Sequence, residues 1–221
     1  MPQSPVASTV RRAAVTVALL AFAALNIPLL EALAAAWDPL LPAPFDERRF
    51  PNDLLFLAEG LALCAIAPRA SGLRLGLREH WRRFAVPLIV VFALPPVLTV
   101  TVYAQLTNRP FHGSTWSMWL VQAAAQELVF TGFLYAQLGK VYGEPSREWR
   151  GALHPVVLLS ALCFAAWHLP NARWFSPRYL AFQLIYTFAG GVWVLQMRRW
   201  TGSLLPGMAN HILVNWLATV V

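Results

Sequence analysis

The sequence predicts an all-α fold, a polytopic transmembrane helical bundle of about seven spans. Three observations predict it. The 221 residues are 58% hydrophobic and 12% charged, with a mean hydropathy of +0.53, which leaves too little polar surface for a water-soluble domain of this length. Apolar stretches recur along the whole chain, each long or nearly long enough to cross a bilayer. Cations gather in the short segments between them, so the net charge of +7 reads as membrane topology and not as a nucleic-acid surface.

The stretches follow in order. The first runs from Ala13 to about Trp37, behind Arg11 and Arg12. A basic start with Ala34 and Ala36 near the end resembles a cleaved signal peptide, but the run is long for one and carries Glu31, so it reads as a retained span. The second (Asp53 to Ala67) and fifth (Pro155 to about Pro170) are short; the third runs from Phe84 to Leu106 and the fourth from Trp116 to Gly139. The sixth (Tyr179 to Met197) and seventh (Gly202 to Val221) complete the set. With no repeat and no separate soluble region, residues 1–221 form a single integral membrane domain. Cys64 and Cys163 lie inside apolar runs and read as small buried hydrophobes.

Alternate loops divide the cations twelve to five, the larger share including Arg11, Arg12, Arg147, Arg150, Arg198 and Arg199. The positive-inside rule then predicts a multi-pass inner-membrane protein with its N-terminus in the cytoplasm. Residues 72–83 have the makings of an amphipathic helix on the inner surface, and Trp81, Trp116, Trp119, Trp174 and Trp200 stand near span ends as interfacial aromatics.

Three spans carry polar groups that lipid would reject. The fourth holds Gln122, Gln126, Glu127 and Thr131; the fifth ends in FAAWH, Phe164 to His168; the seventh holds HILVN, His211 to Asn215. Residues four apart share a helix face, which pairs Glu127 with Thr131, Phe164 with His168 and His211 with Asn215. An intramembrane acid with no Lys or Arg on neighbouring turns needs a partner from another helix. Converging in a bundle core, these groups suit hydrolysis. Glu127 with His168 would activate water, and His211 with Asn215 would hold an oxyanion. A His and Glu set can also ligate zinc, yet no HExxH and no close His or Cys pair is present, so no metal or other cofactor is expected. Glu31, Glu59, His80, His112 and His154 read as structural or interfacial.

In order and spacing, these motifs resemble the CPBP family of intramembrane proteases, which includes CAAX prenyl endopeptidases and bacteriocin-processing or Abi-like proteins. The family's first motif is EExxxR, often followed by Gly; here QELVFTG puts Gln126 at the first Glu, Glu127 at the second, Thr131 at the Arg and Gly132 at the Gly. FAAWH and HILVN match the second and third motifs in full, and the resemblance covers residues 116–221, a protease-like core. It implies glutamic-type hydrolysis of a peptide bond in an exported or C-terminally anchored substrate, with membrane lipid as the other partner. The position usually given the catalytic role in the family is Gln126, and an amide is no base near neutral pH. Either Glu127 has taken over, with Gln126 positioning water or substrate, or the chain is an inactive relative that binds without cutting, such as an immunity protein. A small proton-coupled transporter is a further alternative.

Overall fold

The computed structural model describes residues 5–37, 50–66, 79–94, 98, 117–173 and 175–220, and no strand occurs among them. Seven helices follow the seven predicted stretches: α1 (Pro5–Trp37), α2 (Phe50–Ile66), α3 (residues 85–94), α4 (Ser117–Tyr142), α5 (Pro155–Ala166), α6 (Pro177–Thr201) and α7 (Leu205–Val220). Thr9–Asn26, Pro155–Arg173 and Pro177–Thr201 have by themselves the length and apolarity to cross a membrane. The helices α2, at 17 residues, and α7, at 16, are a little short. The predicted remainder of the third span lies outside the described residues.

Local chemistry sets the helix ends. α5 starts on Pro155, with His154 Nδ1 accepting from the Val156 amide at 3.4 Å, so His154 is an N-cap. α6 starts on Pro177 with Ser176 as its cap and stops at Gly202, whose φ of 71° suits glycine. The proline pair beside α3 is the most instructive. Pro95 and Pro96 come next in the sequence and have no N–H, so the carbonyls of Val91 and Phe92 lack the donors that an α-helix would supply four residues on. Side chains replace them. Trp193 Nε1 of α6 donates to Val91 O, and Asn210 Nδ2 of α7 donates to Phe92 O. The two prolines thereby bind α3 to α6 and α7, next to His211.

The core gathers around α4. Phe56 of α2 stacks on Trp167 at 4.4 Å between centroids, and Phe130 of α4 stands edge-on to both. In a bilayer, where lipid is as apolar as these rings, their close packing and not their removal from water holds the helices together. α1 joins through a 2.7 Å hydrogen bond between Thr16 and Tyr142. Cys64 and Cys163 are buried and form no disulfide, as their surroundings in the sequence imply.

Three expectations need correction. Trp200 does not face headgroups: it is 1% exposed, stacked on Phe84 and edge-on to Trp149, because the α6 end is wrapped by the 146–151 loop. Arg198 and Arg199 are not loop residues but lie buried in the last turn of α6, which runs past the predicted end at Met197. Residues 79–84 form a 3-10 turn where an amphipathic helix is expected, while 72–78 lie outside the described residues, as do Trp116, Trp174, His112 and the side chains of Trp81, Trp119, His80 and Glu31.

Candidate active site

The site is built on a helix with unusual winding. Along α4, π-helical turns at Ser117–Gln122 and Glu127–Leu134 flank an α-helical stretch, Ala123–Gln126. A π turn bonds each amide to the carbonyl five residues back, widening the helix and slipping its face by about one residue. The Thr131 hydroxyl lies 2.7 Å from Glu127 O, the carbonyl that its own amide would take in α winding. It also lies 2.7 Å from Glu127 Oε2. One small side chain thus supports the altered winding and braces the carboxylate.

Glu127 is 1% exposed and its partner comes from α7: His211 Nδ1 lies 2.9 Å from Glu127 Oε1. The sequence places Glu127 and His211 at matching depths, about 16 Å and about 15 Å from the same membrane boundary at 1.5 Å per residue. In the structure that match is a direct contact. Gly207, one turn before His211, makes room for it. A Cβ there would sit 2.4 Å from Val194 Cγ1 and 3.7 Å from Glu127 Oε2, so glycine lets α7 close on α6 beside the carboxylate.

His168 follows the last turn of α5 and is held differently. Its Nδ1 lies 3.1 Å from Phe164 O, a carbonyl that can only accept, so Nδ1 carries a proton. The Phe164 ring stands edge-on to His168 and to His211, 5.5 Å from each centroid at 86°. The first residue of FAAWH therefore separates and orients both imidazoles. Asn215, one turn beyond His211, is partly buried. Gln126 is buried, and its Oε1 has no hydrogen-bond partner among the described residues.

The structure therefore joins Glu127, Thr131 and His211 directly, with His168 across the Phe164 ring. The imidazole bonded to Glu127 is His211; the expected Glu127–His168 pairing is replaced because α5 turns away at Trp167 and gives the His168 Nδ1 proton to its own backbone. Sequence reasoning missed Gly207, although its four-residue spacing from His211 put it on the same face of α7. It also missed Arg198, which reaches from α6 to donate to Gly132 O at 3.0 Å and lies over the Tyr135 ring at 4.3 Å. Glu59 of α2 faces Asn26 of α1. Among the described residues, no third His, Cys, Asp or Glu joins Glu127 and His211 as a metal-ligand set.

The arrangement is a carboxylate–imidazole pair in a buried, polar-braced setting. A carboxylate on Nδ1–H fixes the tautomer, leaves Nε2 as a basic nitrogen and stabilises the imidazolium formed when Nε2 takes a proton. In comparison with known proteins, residues 108–217 match the family described as type II CAAX prenyl endopeptidase Rce1-like. No curated protein and no solved structure matches.

Proposed function

Since the chain belongs, through residues 108–217, to the type II CAAX prenyl endopeptidase Rce1-like family, we propose that it is an intramembrane endopeptidase in which Glu127 and His211 together activate water. The observation that carries this is the 2.9 Å contact between Glu127 Oε1 and His211 Nδ1, with Thr131 on the other carboxylate oxygen. With Glu127 bonded to the Nδ1 side, His211 Nε2 is the basic nitrogen that faces away from the carboxylate and takes the proton in this proposal. Water gives its proton to Nε2, Glu127 balances the imidazolium charge, and hydroxide attacks the scissile carbonyl. The amide of Asn215 donates to the oxyanion without needing a proton of its own. The His211 proton then passes to the leaving amine. His168, with Nδ1 committed to Phe164 O, offers a second basic Nε2 that relays protons across the site. Gln126 Oε1, an acceptor with an open valence, positions the water. The scheme draws on this chain's own side chains and calls for no metal.

The family description points to a membrane-anchored substrate with a lipidated or apolar C-terminal segment, in keeping with hydrolysis at bilayer depth. Profiling of new protein termini in membranes that carry wild type or Glu127→Gln tests the proposal. Termini made by wild type and missing with Glu127→Gln support it. Termini that persist in Glu127→Gln contradict it, and termini absent from wild type but created by Gln126→Glu would identify an inactive relative.

A further inference from the structure

At the arginine-rich end of the bundle, a cavity of about 670 Å³ lies between the 79–84 turn and the 146–151 loop. Arg82, Arg83, Arg147 and Arg150 line it, with Ser146 and Glu148. Glu148 bonds Arg83 at 2.8 Å, which offsets one of the four charges. Behind the loop lies a fifth guanidinium. Arg199 is 5% exposed, and its Nε, Nη1 and Nη2 have no hydrogen-bond partner among the described residues.

The loop and the end of α6 are closely fitted. Gln196 Nε2 donates to Arg147 O at 3.1 Å, and Trp200 meets Trp149 edge-on at 4.9 Å. A Cβ on Gly151 would sit 2.7 Å from Arg199 Nη1 and 2.0 Å from Ser146 O, so the guanidinium lies directly against the loop that lines the cavity. Trp200 Nε1 is also without a partner among the described residues. No carboxylate among the described residues bonds the Arg199 guanidinium, so its charge adds to that of the arginines lining the cavity.

Depth selects the anion. Trp149 is half exposed and packs edge-on against Trp193 and Trp200, which is how an indole sits at a membrane interface. The cations belong to the side that the arginine distribution assigns to the cytoplasm, where anionic lipid lies within reach of basic pockets between helices. We infer that this cavity binds the phosphate headgroup of an anionic phospholipid, with Arg82, Arg147 and Arg150 as its ligands and Arg199, behind the loop, adding its positive charge.

Thermal unfolding of the purified full-length protein in detergent tests the site, with phosphatidylglycerol, phosphatidylcholine or inorganic phosphate added. Phosphatidylglycerol should raise the unfolding temperature more than phosphatidylcholine, and phosphate should leave it unchanged. Arg82→Gln with Arg150→Gln, both at exposed positions, should weaken the apparent lipid affinity by about fivefold for each arginine removed. Arg199→Met keeps the volume and removes the charge. It should weaken the lipid response without abolishing it while leaving the lipid-free protein at least as stable, because an unpartnered buried charge is relieved. An unchanged lipid affinity in Arg82→Gln with Arg150→Gln would overturn the site. An equal shift with inorganic phosphate would place a soluble anion there and overturn the lipid assignment.

Discussion

At the scale of single residues, the site rests on small side chains around one carboxylate. Thr131 holds both the backbone and the side chain of Glu127 at 2.7 Å. Thr131→Val keeps the shape and removes the hydroxyl, so it should cost about 1 kcal/mol of stability and lower the cleavage rate, which unfolding and turnover assays on one preparation would check. Gly207→Val places methyl groups where Val194 already sits. It should destabilise by about 1–3 kcal/mol, and Val194→Ala in the same chain should restore part of that loss in a double-mutant cycle. Much of this was legible in sequence. An acid, two histidines and an asparagine on three apolar stretches marked the candidate site, and four-residue spacing paired Glu127 with Thr131 and Phe164 with His168. The choice of His211 over His168 as partner was not legible, because it depends on which nitrogen each helix end leaves free.

At the scale of elements, α4 and α3 carry the argument. Adjacent residues on an α-helix point about 100° apart, so the proposal that the base sits at position 127 and not 126 calls for a helix whose face is shifted. The π turns of α4 are a local means of such a shift, which the sequence does not reveal. In α3 the prolines made the consequence readable, since two missing amides leave two carbonyls needing donors. The donors come from residues more than a hundred positions away, which no local pattern reveals. Asn210→Leu should leave Phe92 O unsatisfied and cost about 1–3 kcal/mol, measured by unfolding in detergent. It should also lower activity, since Asn210 adjoins His211. A result in which Asn210→Leu unfolds at the wild-type midpoint would show that the clamp carries no stability.

At the scale of the molecule, the bundle keeps the Glu127–His211 pair in its buried interior and its guanidinium-rich surface at one end. The seven stretches were legible because each is a hydropathy feature. The burial of Trp200, Arg198 and Arg199 was not, because a span-end arginine reads the same in a loop or against a neighbouring helix. The orientation predicts that a cysteine at Arg173 is labelled from outside and one at Arg147 from the cytoplasm; Cys64 and Cys163, both buried, contribute little background. The reverse labelling would invert the topology. The claim that Glu127 and His211 act as one unit is tested most directly by a double-mutant cycle of single-turnover cleavage in bilayers, on a substrate found by terminus profiling. Glu127→Gln and His211→Gln should each slow cleavage by about 10²–10⁴, with the double variant no slower than the worse single one. Effects that multiply in the double variant, or cleavage retained by Glu127→Gln, would contradict the account.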